Sequence, residues 1–339
     1  MARVERSVLH VLPHAGGGGD TYVDLLEPMS GYRTTRVHLA PARKPGPIGV
    51  ARGLGELARR LRGHDLVHVH GEGAAALLLP LVGVHRSVVT LHGLHLLRRA
   101  TGPARSAAAL NLRAVLRAAD RTICVSSAEQ EVLADAAGRE LTRRKTAIVH
   151  NGARSAAQAT PEARAAVRAE LGLTDGEPVA IWVGSLDERR DPGAVMRGAE
   201  AAETTVLFVG QGPALAATAN ARMLGQRDDV PRLLDAADVF VLMSQREGLS
   251  FALLEAMAHG LPSIVADIPE NAEAVGDSGI LVPYGDASAV ADALRRLADD
   301  PEEHARLAGR ARQRIRDEFS AGQMIERTRE VYEGVLDAP

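Results

Sequence analysis

Short apolar runs alternate with helical segments along nearly the whole chain, and this alternation restricts the fold more than any other feature. The spacing predicts strands at residues 7–13, 34–39, 65–70, 87–91, 121–125 and 146–150, and again at 179–184, 205–210, 222–224, 239–243, 263–266 and 280–283. Strands that alternate regularly with helices build parallel, doubly wound sheets. The sequence therefore predicts an α/β protein of this class.

The chain is long enough for more than one domain. Its 339 residues correspond to about two domains of ordinary size. The first run of strands ends at Asn151 and Gly152, and residues 153–161 have the Ala-, Ser- and Gln-rich composition of a linker. We therefore predict one domain over residues 1–152 and a second that starts at residue 153.

Composition excludes several classes of protein. A formal net charge of −3 gives no reason to expect a nucleic-acid partner. The single cysteine, Cys124, excludes an internal disulfide and a Cys-rich metal site. No run approaches the ~20 apolar residues of a membrane span. The N-terminal apolar run ends at Pro13 and has the character of a strand rather than a signal peptide, so we expect a cytoplasmic protein.

The segment from Glu247 to Glu255 carries the strongest functional signal. It follows the apolar run 239–243 and opens a helix, which therefore begins at the carboxyl end of a strand, where open α/β sheets bind ligands. Gly248 permits close approach of a ligand to the backbone, and Ser250 can cap the helix. The first N–H groups of such a helix form an anion site. An anion site between two carboxylates suits a phosphorylated, hydroxyl-rich ligand such as a nucleotide-sugar, whereas the simpler interpretation is a cap beside two solvated glutamates.

The run from Glu247 through Pro262 resembles the signature of retaining glycosyltransferases of family 4, which have the GT-B architecture. That signature is two glutamates separated by seven residues, a helix of small residues and a Gly-x-Pro turn. The resemblance implies two Rossmann-like, doubly wound parallel-sheet domains that face each other across a cleft. It assigns the nucleotide-sugar donor domain to residues 153–319 and a C-terminal helix, 320–339, to the acceptor-side domain. The strong preference for Arg over Lys is typical of a GC-rich genome, so the likeness is to members of the actinobacterial type.

The resemblance also implies roles for individual residues of this segment. Glu247 orients the donor sugar, and Glu255 binds the ribose. The amides of Leu249 and Ser250, which follow Gly248, hold the β-phosphate. We therefore count Gly248, Leu249, Ser250 and Glu255 as donor-binding residues and Glu247 as catalytic.

Four consecutive glycines, Gly16 to Gly19, follow the first predicted strand and precede a helix. The pattern G-x-G-x-x-G of a dinucleotide site fails here, because Thr21 or Tyr22 occupies the third glycine position, and no acidic residue ends the strand at 34–39. An NAD-dependent dehydrogenase is thus a disfavoured alternative. The loop is similar to the family 4 loop that faces the donor phosphates and the acceptor, and the simpler interpretation is a surface turn. The candidate donor-binding residues are Gly17, Gly18 and Gly19.

Polar side chains follow three further strands of the first domain. His68 and His70 share one face of a strand, but no third ligand at suitable spacing is evident, so we predict no metal site. His92 precedes Gly93 in a Thr-x-His-Gly segment that is similar to the family segment whose histidine contacts the donor sugar, although a loop histidine is the simpler interpretation. Ser126 resembles a donor-side serine of the family, or caps the next helix.

One departure from the family pattern concerns the leaving group. Family members usually carry Arg where Ser185 stands and Lys where Arg190 stands, and those cations offset the charge that develops on the diphosphate. Arg190 keeps a cation with a planar fork, whereas Ser185 supplies only a hydroxyl. Either Arg189 substitutes, or phosphate binding or activity is weaker. Ser185 and Arg189 are therefore candidate donor-binding residues.

Taken with the resemblance, these features predict a glycosyltransferase that moves a sugar from a UDP- or GDP-linked donor to a hydroxyl acceptor. The resemblance implies retention of configuration, no metal and no cofactor besides the donor. The predicted catalytic residues are Glu247, His92 and Arg190. A saccharide, a lipid carrier and a small metabolite all remain open as acceptor. The alternative from another class, motivated by Ser185, is a catalytically weakened nucleotide-sugar-binding or scaffold protein of the same fold.

A group of arginines in the first domain suggests an additional partner, an anionic membrane surface bound weakly and peripherally. Its members are Arg98, Arg99, Arg105, Arg113 and Arg117. A solvated face is the simpler interpretation. The sequence predicts no oligomeric state.

Overall fold

A computed structural model describes residues 5–40, 47–174, 176–213 and 218–338. The chain divides into two compact units. Unit 1 comprises Met1–Asn151 and Ala321–Pro339, and unit 2 comprises Gly152–Ser320. Each unit is built on one six-stranded parallel sheet with helices along it, so both are Rossmann-like and doubly wound.

Unit 1 contains a sheet with strand order β2-β1-β3-β4-β5-β6. Its strands are β1 (Arg6–Leu12), β2 (Tyr32–His38), β3 (Leu66–His70), β4 (Ser87–Thr90), β5 (Arg121–Cys124) and β6 (Thr146–Ile148). Its helices are α1 (Gly18–Leu26), α2 (Pro47–Arg60), α3 (Glu72–Leu77), α4 (Leu79–Val82), α5 (His95–Arg99), α6 (Gly102–Ala118), α7 (Ser127–Ala137), α8 (Arg139–Lys145) and, from the C-terminal segment, α16 (Ala321–Leu336).

Unit 2 contains a sheet with strand order β12-β11-β10-β7-β8-β9. Its strands are β7 (Val179–Val183), β8 (Thr205–Val209), β9 (Ala221–Gly225), β10 (Val239–Leu242), β11 (Ser263–Ala266) and β12 (Gly279–Val282). Its helices are α9 (Pro161–Glu170), α10 (Pro192–Ala201), α11 (Val230–Ala236), α12 (Phe251–Ala258), α13 (Pro269–Val275), α14 (Ala287–Asp299) and α15 (Pro301–Asp317).

Alternation of side chains along the strands separates two faces of the unit 1 sheet. Leu9 and Val11 of β1 and Val67 and Val69 of β3 belong to one apolar core cluster, and all four are buried. Burial of an aliphatic side chain of this kind stabilises the fold by ~1.5–3 kcal/mol. The alternate positions of the same strands include three buried histidines among apolar residues, and His68 contacts Tyr22 of α1 and Tyr332 of α16. We call the side of the sheet that carries these histidines its polar face.

The predicted strands are confirmed at all twelve places, with ends that differ by a few residues. The segment that follows β3 forms two helices, α3 and α4, because Pro80 lies at the start of α4 and cannot donate a helical hydrogen bond to α3. Helix α13 begins at Pro269, a residue that is favoured in the first turn of a helix.

No helix of the described residues is long and apolar enough to cross a membrane. In the arginine group of unit 1, Arg105, Arg113 and Arg117 are exposed on α6. The weak membrane association that they suggested stays a prediction.

Candidate active site

The carboxyl ends of β7 and β10 define the best-formed polar site of unit 2. The two strands are neighbours, yet the chain runs from β7 outward through β8 and β9 before it returns to β10 on the other side. This is a topological switch point, where the loops that follow two adjacent strands diverge and leave a crevice for a ligand. The loop after β7, the loop after β10 and helix α12 contain the predicted donor-site residues of this unit.

The loop after β10 places one carboxylate at this position. Glu247 is buried, with 7% of its surface exposed. The hydroxyl of Ser244 donates to Oε1 of Glu247 over 2.6 Å. Three residues further on, Ser250 caps α12 by accepting a hydrogen bond from the backbone N–H of Leu253. The cap therefore fixes the start of α12 directly after the carboxylate.

The loop after β7 supplies the cation that meets this carboxylate. Nη2 of Arg190 lies 3.0 Å from Oε1 of Glu247, and both side chains are largely shielded from water. The two loops are also joined through the backbone, because the N–H of Gln245 donates to the carbonyl of Arg189 over 2.9 Å. Gly184 has φ +147°, and a Cβ there would clash with Nη1 of Arg190. The guanidinium therefore lies against the glycine backbone.

A second carboxylate, that of Asp187, binds the other two candidate donor-binding residues of the loop after β7, Ser185 and Arg189. The Ser185 hydroxyl donates to Oδ2 of Asp187 over 2.9 Å, and Nη2 of Arg189 lies 2.8 Å from the same oxygen. Burial raises the pKa of Asp187, but the hydrogen bonds from Arg189 and Ser185 outweigh it, so the net pKa is lowered. Asp187 is therefore ionised at neutral pH, and both candidate phosphate ligands are paired with it.

Glu255 lies in α12, beyond the first turn, and is half-buried. Burial raises the pKa of its carboxyl, and the charge of Arg154 partly opposes this. Burial disfavours the charged form of this carboxyl group, and a hydrogen bond donated by a ligand hydroxyl would stabilise that form. Its placement is compatible with the ribose role predicted for it.

The glycine loop of unit 1 is held by an acidic side chain. Gly16 and Gly17 have φ values of +80° and +102°, which favour glycine, and Gly17 precedes α1. The carboxylate of Asp20 accepts a hydrogen bond from the N–H of Gly16 over 2.6 Å and lies 2.8 Å from Nε2 of His38. Nη1 of Arg36 lies 3.7 Å from the same carboxylate and offsets part of its charge, and the carboxylate oxygens can accept hydrogen bonds from ligand hydroxyl groups.

Four histidines gather on the polar face of the unit 1 sheet, and we call them the histidine cluster: His10, His68, His70 and His92. His10 and His68 are direct cross-strand partners, so His10 is a third histidine at this place, which was not predicted from the sequence. Ligand atoms of His10, His68 and His70 lie within 4.8 Å of one another. The absence of a third nearby histidine, argued from spacing, was therefore wrong, because sheet pairing and not sequence distance brings His10 there.

The remaining candidate of unit 1, Ser126, has a structural task. Its side chain is fully buried and accepts the N–H of Glu129 over 3.0 Å, which caps α7. The Glu129 carboxylate in turn accepts from Val125 over 2.8 Å and from the N–H of Gly93. Glu129 thereby anchors the segment that carries His92, whose φ is +60°.

Comparison with known proteins agrees with this architecture. A family model described as Glycosyltransferase Family 4 matches residues 9–155, and one described as Glycosyl transferases group 1 matches residues 177–300. Among solved structures, Anabaena HepE in complex with UDP-glucose superposes with a TM-score of 0.82 at 18% identity, over 96% of this chain and 99% of that one. The fold is therefore GT-B.

Two curated relatives are similar in sequence. The N-acetyl-alpha-D-glucosaminyl L-malate synthase of Bacillus anthracis is 30% identical over 187 residues, which are 50% of this chain and 49% of that protein. The D-inositol 3-phosphate glycosyltransferase of Streptomyces avermitilis is 31% identical over 252 residues, 66% of this chain and 54% of that protein. The chain thus spans about half the length of these relatives. With the two family models, these matches show that the chain belongs to glycosyltransferase family 4.

Proposed function

We propose that this protein transfers a sugar from a nucleoside-diphosphate sugar to a hydroxyl acceptor, with retention of configuration and without a metal ion. The observation that carries the proposal is the contact between Arg190 and Glu247 at the switch point of unit 2, directly before the capped start of α12. A cation, a carboxylate and a helix N-terminus together match the charges and hydroxyls of a nucleotide-sugar.

Each group has a distinct task in the proposed reaction. The start of α12 binds the diphosphate through its backbone amides, and Arg190 offsets the negative charge that grows there as the glycosidic bond breaks. Glu247 hydrogen-bonds to the donor sugar, and Glu255 to the ribose. In unit 1, His92 contacts the sugar. HepE, whose structure contains UDP-glucose, supports a nucleotide-sugar as the ligand of this fold.

The acceptor we propose is a small hydroxylated compound. The names of the two curated relatives, an N-acetyl-alpha-D-glucosaminyl L-malate synthase and a D-inositol 3-phosphate glycosyltransferase, support acceptors of this kind. The loop at Gly16, where Asp20 brings a carboxylate, is compatible with hydroxyl binding. A useful panel therefore contains L-malate, inositol 3-phosphate, simple saccharides and a polyprenyl phosphate.

The test is a transfer and hydrolysis assay with UDP- and GDP-sugars over that panel. We expect Glu247→Gln to lower kcat by ~10²–10³-fold, the size of a lost electrostatic contact in an active site. Glu302→Gln, at an exposed carboxylate in the first turn of α15, is the matched control and should keep wild-type turnover. Equal turnover of wild type and Glu247→Gln would count strongly against the assignment.

A second candidate function is binding of a nucleotide-sugar without efficient transfer. It is favoured by the pairing of both candidate cations, Arg189 with Asp187 and Arg190 with Glu247, and by the hydroxyl at Ser185. Phosphate must then compete with carboxylates for each cation. Tight calorimetric binding of a UDP- or GDP-sugar with no turnover over the whole acceptor panel would support this function over the first.

A further inference from the structure

Three members of the histidine cluster form a continuous hydrogen-bonded row. Nδ1 of His10 lies 3.0 Å from Nε2 of His70, and Nδ1 of His70 lies 3.0 Å from Nε2 of His92. The ring planes are inclined by only 26° at the first link and 24° at the second. We call this row, His10–His70–His92, the imidazole chain.

The inner end of the imidazole chain is closed. His10 is fully buried, and its Nε2 has no hydrogen-bond partner among the described residues. His70 is also fully buried, whereas His92 is partly exposed. The outer end therefore reaches the surface through His92. Because Nε2 of His92 is engaged with His70, Nδ1 is the other nitrogen of the His92 ring.

Burial keeps every member of the imidazole chain neutral. It lowers the pKa of His10 and of His92 to about 3, and it lowers the pKa of His70 well below its usual value. A neutral imidazole has one N–H donor and one acceptor nitrogen. Each link therefore consists of one N–H and one lone pair, and the donors must all point the same way along the chain.

The closed end selects one of the two directions. A proton on Nε2 of His10 would be a buried N–H without an acceptor, and such groups are rarer in proteins than under-satisfied acceptors. The proton of His10 therefore lies on Nδ1 and is donated to His70. His70 then donates from its own Nδ1 to Nε2 of His92, which leaves the proton of His92 on Nδ1.

We propose that His10 and His70 are positioning residues that hold His92 as the Nδ1–H tautomer, so that His92 presents a fixed neutral hydrogen-bond donor to an oxygen atom of the ligand. The identity of that oxygen, a hydroxyl of the donor sugar, rests on the proposed function. The tautomer itself does not. A donor whose proton is fixed before the ligand arrives loses less free energy on binding than one that must first change tautomer.

A metal ion held by His10, His68 and His70 agrees less well with the hydrogen bonds of these histidines than the imidazole chain does. Both nitrogens of His68 are already engaged, Nδ1 with the hydroxyl of Tyr332 over 2.6 Å and Nε2 with the hydroxyl of Thr90 over 2.7 Å. Both nitrogens of His70 are engaged as well, with His10 and with His92, so a metal would have to displace one bond of His68 and one link of the imidazole chain. Metal content is therefore one of the measured outcomes.

The decisive measurement is the tautomer of His92 in the ligand-free, full-length protein labelled with ¹⁵N-histidine. Nitrogen chemical shifts and one-bond proton couplings of the imidazole distinguish Nδ1–H from Nε2–H, and the signals of His92 are those that disappear in His92→Gln. We expect Nδ1–H in the wild type. His70→Phe keeps a ring at the same place but removes the link, and we expect the two tautomers of His92 to mix. His70→Asn restores a side-chain N–H near the position of Nδ1 and should restore the single tautomer.

The matched control is His68→Phe. His68 lies on the same strand and the same face as His70, packs against its ring with centroids 4.2 Å apart, and loses two hydrogen bonds of its own in this variant. We expect its melting temperature to fall at least as far as that of His70→Phe, while His92 stays Nδ1–H. Loss of stability alone therefore cannot produce the expected pattern.

Three results would overturn the proposal. They are an Nε2–H or mixed tautomer of His92 in the wild type, an unchanged tautomer in His70→Phe, and a stoichiometric transition metal in the purified protein. The ligand role is tested separately by calorimetry with UDP or GDP and with UDP-glucose or GDP-mannose. We expect His70→Phe to weaken only the nucleotide-sugar, by roughly 3- to 10-fold. The expected tautomers without this sugar-specific loss would refute the sugar contact of His92 and leave the proposed tautomer control standing.

Discussion

Replacing Gly184 with alanine tests whether the position of Arg190 sets the activity of unit 2. At φ +147° an L-residue is strained, and such strain costs ~1–3 kcal/mol. The added Cβ also overlaps Nη1 of Arg190, so the guanidinium must leave its place. Its contact with Glu247 is 3.0 Å long, and a displacement of about 1 Å breaks a hydrogen bond of that length. A misplacement of that size in an active site costs up to ~10²-fold in rate.

The effect on activity must be separated from the effect on stability. Gly138→Ala serves this purpose, because Gly138 has φ +104° at the end of α7 and a Cβ there meets nothing within 4 Å. Both variants should lose ~1–3 kcal/mol of unfolding free energy in urea titrations. Only Gly184→Ala should lower kcat/KM for sugar transfer, by ~10- to 100-fold.

A Gly184→Ala variant that is destabilised as expected but keeps the kcat/KM of the wild type would refute this prediction. In that case the contact between Arg190 and the backbone of Gly184 has no bearing on the reaction, and the cation near the leaving group must be sought elsewhere. An equal loss of kcat/KM in Gly138→Ala would also contradict it, since strain alone would then explain the result.

Two further changes test single contacts. Ser244→Ala removes the 2.6 Å hydrogen bond to Glu247. We therefore expect kcat/KM for transfer to fall by roughly 3- to 10-fold, while the affinity for the free nucleotide, measured by calorimetry, stays unchanged. An unchanged kcat/KM would mean that this bond does not orient the carboxylate. His10→Phe tests the acid sensitivity of unit 1. Because the pKa of His10 is lowered to about 3, its contribution to stability is fully present above its ordinary pKa of 6.5 and is lost as the pH falls toward 3. Between these two pKa values, the variant should therefore lower the slope of the unfolding free energy against pH by about 1.4 kcal/mol per pH unit. The slope is measured by urea titrations followed by the far-ultraviolet circular dichroism signal. Equal slopes in wild type and variant would contradict a neutral, buried His10.

The strands could be predicted because burial of a parallel sheet requires apolar runs of strand length. Some helices carry no such signal. Helices α5 and α8 are short and several of their residues are charged, so no apolar periodicity marks them. Helix α5 in addition begins after Leu94, which has φ +51°, a conformation that the sequence gives no reason to expect.

Several residues of the candidate site were named from the sequence, but their contacts were not. Glu247 and Arg190 were both predicted from the resemblance, yet their pairing depends on β10 lying beside β7. Ser244 was not predicted because, in the sequence, it is only the first polar residue after an apolar run and carries no further signal. His10 was missed for the same kind of reason, since only the neighbouring positions of β1 and β3 bring it to His68 and His70. Strand order is a global property, and single-sequence periodicity does not contain it.

The pairing of cations in unit 2 changes how a diphosphate could be held there. Arg190 shares its charge with Glu247, so a phosphate that approaches it gains less than it would from an unpaired arginine. Two contacts to Oε1, from Arg190 and Ser244, instead fix the orientation of the carboxylate. Since Ser185 adds no charge, the proposed site depends more heavily on the amides at the start of α12 than a site with two free cations. A substitution at Arg190 leaves these backbone amides in place, so affinity for the nucleotide should survive changes at Arg190 that abolish transfer.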